Sequence, residues 1–131
     1  MMNPTQHLSA PVKFNLAAEL ETLEAAQPSK LHPRAKALLK SDDLRLVLIS
    51  LAAGAKLDRH HADGSVSIHV IRGILRVRVQ QQEHPLRAGD LLMLPASLQH
   101  DVEAMDDAAF LLTISWPPKA KLESLPHRQY A

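Results

Sequence analysis

At 131 residues, 46% of them hydrophobic, the chain is long enough for one packed core and too short for a second. It contains no cysteine, which removes disulfide frameworks, thiolate metal centres and a cysteine nucleophile together. Fifteen Lys and Arg against fourteen Asp and Glu leave a net charge of +1 scattered along the chain, and one Trp, one Tyr and two Phe offer little to stack on bases, so nucleic acid is not an expected partner.

The first residues, MMNPTQHLSAPVKF, lack the basic start and apolar run of a secretory signal, and no stretch approaches the ~18 apolar residues of a membrane span, so a cytoplasmic location without membrane contact is expected. The arm ends at Asn15. Leu16, Leu20 and Leu23 then recur on one helical face, with Glu19, Glu21 and Glu24 early in the segment where acids suit the helix dipole. Asn15 can cap this helix and Gln27-Pro28 ends it, which predicts a short helix near 15–26.

From residue 34 the periodicity changes to that of strands. Candidates are RAKALLK, LRLVLISL (44–51), SVSIHVI (65–71), ILRVRV (74–79), DLLML (90–94), LQHDVEA (98–104) and AAFLLTIS (108–115). Gly54, Gly64, Gly73 and Gly89-Asp90 punctuate them, the pattern of an all-β barrel or sandwich. In LRLVLISL, Leu44, Leu46 and Leu48 point one way and Val47, Ile49 and Leu51 the other, so both faces need cover, from the helix or from a second subunit. A homodimer is expected on this ground. The division predicted is an arm and short helix over 1–33, a barrel over 34–116 and a polar, proline-rich tail over 117–131.

Two segments carry a spacing beyond strand periodicity. Five residues separate Gly54 from His60 and Gly73 closes that stretch, while Gly89, Pro95 and His100 recur at fixed offsets in GDLLMLPASLQHDVEA. These resemble the paired motifs of the cupins, and the chain is identified as similar to small single-domain barrel proteins of the cupin 2 type. RVRVQQQEHPLRAGD looks like the hairpin joining the motifs. The resemblance implies an all-β, antiparallel double-sheet, jelly-roll-like barrel with a short N-terminal helix. In that family three imidazoles and a carboxylate form a mixed N and O site suited to Fe, Mn, Ni or Zn. Here His60 and His100 keep their offsets. Ala62 stands at the second His position, Val66 at the Glu, Ser97 at the second-motif Gly and Ala104 at the Asn.

The functional expectation follows from that partial set. His60 and His100 are candidate metal ligands, with His61 as a third, although adjacent residues of an extended segment face opposite ways and both can turn inward only through a bulge or loop. Val66, Ile68, Val70, Leu98 and Val102 are the candidate walls of an apolar ligand pocket. By the same alternation His69 faces outward, and Asp101 and Glu103 face away from His100. Arg76 and Arg78 read as a solvated strand face and Met93 and Met105 as core, while His7, His32, His84 and His127 have no constellation around them. Two classes of function compete. One is a barrel that binds a small organic ligand, with a weakly held divalent metal at His60 and His100. The other is a metal-dependent enzyme, such as a dioxygenase, isomerase or decarboxylase, acting on a small molecule. The loss of the carboxylate and one imidazole favours the first.

Overall fold

The computed structural model describes residues 8–29, 32–60 and 62–115. One helix, α1 (Leu16–Ala26), precedes nine strands: β1 (Arg34–Lys40), β2 (Leu44–Leu51), β3 (Lys56–His60), β4 (Val66–Arg72), β5 (Ile74–Val79), β6 (Gln82–Arg87), β7 (Leu91–Leu94), β8 (His100–Ala104) and β9 (Ala108–Ser115). They form two antiparallel sheets, ordered β1-β2-β9-β4-β7 and β3-β8-β5-β6. This is the expected double-sheet barrel.

The inner faces meet in a core where Ile49, Leu51, Val66, Ile68, Val70, Leu75, Val77, Val102, Phe110 and Ile114 are buried. The alternation in β4 is strict: Val66, Ile68 and Val70 are buried, while Ser67 and His69 are half-buried on the outer face, as the parity of the sequence implies.

The helix resolves the two-faced strand β2. Asn15 caps it, with its side-chain oxygen accepting from the Ala18 amide at 2.9 Å, and the Gln27 amide donates to the Leu23 carbonyl at 3.0 Å just before Pro28. Leu20 and Leu23 pack with Leu38, Leu48 and Ala109 on the outside of the five-stranded sheet, so Leu48 is covered by α1 and Ile49 by the opposite sheet. A polar clamp holds the C-terminal end of the helix. Glu24 accepts from Arg72 at 2.6 Å, from the Ser50 hydroxyl at 2.6 Å and from Arg34 at 3.2 Å. Among the described residues no helix is long and apolar enough to cross a membrane.

Several local readings change. Lys56–His60 is a strand of its own, paired with β8. Asp90 is not in a strand but closes a turn, its carboxylate accepting from the Arg87 amide at 2.8 Å. The methionines expected in the core are exposed, Met93 by 60% and Met105 by 46%. Met93 stands opposite Ser67 on the outer face of β4, and Met105 lies in the β8–β9 turn, so neither reaches the interior. Pro85 lies on β6, an edge strand, where a missing amide donor breaks no ladder. Gly73 has φ +80°, and a β-carbon there would lie 2.8 Å from the Ala108 Cα, so this position admits only glycine without a backbone shift.

Candidate functional site

Antiparallel pairing decides which strand ends share a rim. His60 ends β3 and stands opposite His100, the first residue of β8, and His100 in turn stands opposite Val79, the last residue of β5. In the other sheet Val66 begins β4, opposite both Leu94 at the end of β7 and Ile114 near the end of β9. Residues 62–65, the β5–β6 hairpin and loop 95–99 therefore all belong to one barrel mouth. The glycine turns at Gly54, Gly73 and Gly89 belong to the opposite end.

His100 is 2% exposed. Its Nδ1 lies 3.2 Å from the Leu98 carbonyl oxygen. A carbonyl only accepts, so Nδ1 is the donor in this contact, and in the neutral form of the ring the lone pair would lie on Nε2, the tautomer of a metal-binding or ligand-orienting imidazole. Of His60 the backbone is described, which fixes its place in the ladder opposite His100. His61 lies outside the described residues.

A cavity of about 710 Å³ opens at this mouth, with Gln80, Gln81, Leu98, Gln99, His100 and Asp101 in its wall. Of the five pocket residues read from the sequence, Leu98 is in this wall, whereas Val66, Ile68, Val70 and Val102 are packed in the core with exposures of 2% or less. The wall is thus more polar than an aliphatic pocket. Arg78 also borders the cavity but is ion-paired to Glu83 at 3.0 Å, and its neighbour Arg76 donates to Glu103 at 2.6 Å, holding that carboxyl below its ordinary range. The arginine stripe is therefore charge-matched on the outside of the sheet.

Three features of the mouth go beyond the sequence reading. Gln80 and Gln81 form a two-residue hairpin with φ of 50° and 66°, the left-handed pair of a type I′ turn that ordinarily takes Asn-Gly. Ser97, at φ 66°, bends the loop before His100, and its amide donates to the Ala62 carbonyl at 2.7 Å, tying residues 62–65 to loop 95–99. Asp63, in the first of these segments, is 9% exposed, and its Oδ2 is buried without a hydrogen-bond partner among the described residues. The first two had sequence signals, since RVRVQQQEHPLRAGD already reads as a hairpin and Ser97 occupies a position where the motif has glycine.

The cupin-domain profile matches residues 47–116, more than half of the chain. The chain belongs to the cupin family. Solved structures superpose on it well at low identity. A cupin superfamily protein of Desulfitobacterium hafniense is 21% identical with a TM-score of 0.66, over 68% of this chain and 82% of that one. A conserved Streptococcus pyogenes protein of unknown function is 18% identical with a TM-score of 0.66, over 88% and 96%. The Cnp3 cupin domain of Schizosaccharomyces pombe is 14% identical with a TM-score of 0.62, over 70% and 67%. At such identities the likeness is one of fold, and cupin barrels carry many activities. No curated protein matches the sequence.

Proposed function

We propose that this cupin binds a small polar organic molecule at the barrel mouth, together with a divalent transition metal held through His60 and His100. The observation that carries the reading is the placement of the two histidines opposite each other in the β3–β8 ladder, with His100 in the wall of the 710 Å³ cavity and its Nδ1 engaged by the Leu98 carbonyl. The donor set fits Fe, Mn, Ni or Zn, since imidazole suits these metals and thiolate is absent. A bound metal would supply a Lewis acid that polarises a ligand oxygen. The chain's own residues do the rest. Gln80, Gln81 and Gln99 each offer an amide donor and acceptor to a polar ligand, and Leu98 gives it an apolar contact.

Binding is preferred to catalysis because Ala62 and Val66 occupy the positions of the family's second imidazole and carboxylate, which leaves the metal loosely held. The test is metal uptake by protein purified without a histidine tag, measured by equilibrium dialysis against Co²⁺ and elemental analysis. Saturable uptake near one ion per chain is expected, with His100→Ala weakening it by roughly tenfold or more while the thermal transition stays cooperative. Equal uptake by wild type and His100→Ala would remove the site. A transition metal retained at full stoichiometry through purification would favour the enzyme reading.

The hairpin yields a separate expectation. Left-handed backbone at a residue with a β-carbon costs about 1–2 kcal/mol, less where Asn or Gly takes the position. Replacing Gln80-Gln81 by Asn-Gly should therefore raise stability by about 1 kcal/mol, read as a higher urea midpoint at unchanged slope. If the two amides contact the ligand, the stabilised variant should also lose ligand affinity, a trade that an ornamental turn would not show.

A further inference from the structure

A carboxyl oxygen removed from water without a hydrogen bond or ion pair is a costly feature for a small domain to carry. Asp63 is such a group: it is 9% exposed, its Oδ2 is buried, and no hydrogen bond or ion pair reaches its side chain among the described residues. Its loop is pinned on both sides. The Ala62 carbonyl accepts from the Ser97 amide at 2.7 Å, and Gly64 is packed so closely on the end of β9 that a β-carbon there would lie 2.8 Å from the Ser115 carbonyl carbon. The ladder pair His60–His100 lies three residues from Asp63 along one chain and three from Ser97 along the other. The pinned loop thus places Asp63 at the end of the barrel where the strands bearing both histidines meet, and a cation bound there would satisfy its unpartnered oxygen.

We propose that Asp63 supplies the carboxylate ligand of a two-histidine, one-carboxylate metal site with His60 and His100, in place of the acid whose position is taken by Val66. The proposal rests on the metal reading of the mouth and adds a third donor to it. Two imidazoles and one carboxylate form a mixed set that binds first-row divalent ions and leaves positions open to a ligand. A loop aspartate can take this part because the site needs an oxygen at the rim and not a particular strand position.

Co²⁺ alone is the probe, applied to the full chain and followed by isothermal titration and by absorption. Asp63→Asn keeps the shape and one oxygen but removes the charge. It should weaken Co²⁺ binding by roughly tenfold or more, comparable to His100→Ala. Asp63→Cys adds the molecule's only thiol and should give a thiolate-to-cobalt charge-transfer band in the near ultraviolet, which arises only if position 63 coordinates. Asp63→Asn bound as tightly as wild type, together with no such band in Asp63→Cys, overturns the assignment. If His100→Ala still weakens binding in that case, the two-histidine site stands without Asp63. If wild type takes up no Co²⁺, both readings fall. A Co²⁺-free melting temperature for each variant separates lost coordination from lost fold, and because the Asp63 Oδ2 has no hydrogen-bond partner to lose among the described residues, Asp63→Asn should leave that temperature little changed.

Discussion

Phe110→Ala is expected to cost about 3–5 kcal/mol, the largest single loss from any side chain in the barrel interior. Phe110 is 1% exposed in the middle of β9, where it stands opposite Ile49 of β2 and Val70 of β4. It is one of two phenylalanines in the chain, and no other aromatic residue is buried beside it among the described residues, so aliphatic neighbours on both sheets would have to close the void. Backbones held by ladders on both sides of β9 cannot move in to do so, which places the cost toward the upper end of the range. A domain of this size is stable by about 5–15 kcal/mol, so the variant should lose a third or more of its margin. Urea unfolding is the measurement. A lower midpoint at unchanged slope is expected, with Phe110→Leu falling between the two. A loss below about 1 kcal/mol would mean that the interior is not close-packed around this ring.

Glu24→Gln should produce the second effect and give it a pH signature. The hydrogen bond from Arg72 is the main influence that lowers the Glu24 carboxyl from 4.5 to about 2, burial opposing it, with the Ser50 hydroxyl and the Arg34 and Arg72 charges adding to the fall. Because the folded value lies below the unfolded one, the carboxylate stabilises the fold above pH 4.5, and this contribution disappears as the pH drops towards 2. A shift of that size corresponds to about 3 kcal/mol at most, and the side chain's 25% exposure reduces it to about 2 kcal/mol. Glutamine would leave the Arg34 guanidinium, 8% exposed, without its counter-charge under the helix. At pH 7 the variant should therefore be less stable than wild type by about 2 kcal/mol. Between pH 4.5 and 2 the two stability curves should converge, since wild type alone loses a contribution there. Parallel curves across that interval would show that the clamp does not act through charge. Because Glu24 ties α1 to β1, β2 and β4, the same variant should loosen the helix and expose Leu48, which dye binding to apolar surface would report.

How the chain covers itself was partly legible. The alternation in LRLVLISL announced that both faces of β2 needed a partner, and the Leu16, Leu20 and Leu23 stripe was one candidate. The structure seats that stripe on Leu38, Leu48 and Ala109. It also leaves Leu91 and Met93 exposed by 59% and 60% on the edge strand β7, beyond the reach of an eleven-residue helix.

Local chemistry was enough to determine the helix ends, because Asn15 and Pro28 act on their own turns, and the inward faces of most strands, because side-chain alternation needs no knowledge of the partner. The offsets shared with the cupin motifs, and not local chemistry, marked His60 and His100 as candidates. The paired registers of β3, β5 and β8 were decided only in three dimensions, and with them the rim shared by these histidines, the Gln80-Gln81 hairpin and the cavity wall. So was the burial of Asp63. An aspartate before a glycine reads as an exposed turn, and it is buried here because its loop is held between the Ser97 turn and the end of β9, segments more than thirty residues away in sequence. Met93 was misread for the mirror-image reason: an apolar side chain on a short edge strand takes whichever face the register of its neighbour assigns, and Ser67 assigns it the outside. Periodicity states that a strand has two faces, and only the pairing of the sheets decides which of them is the interior.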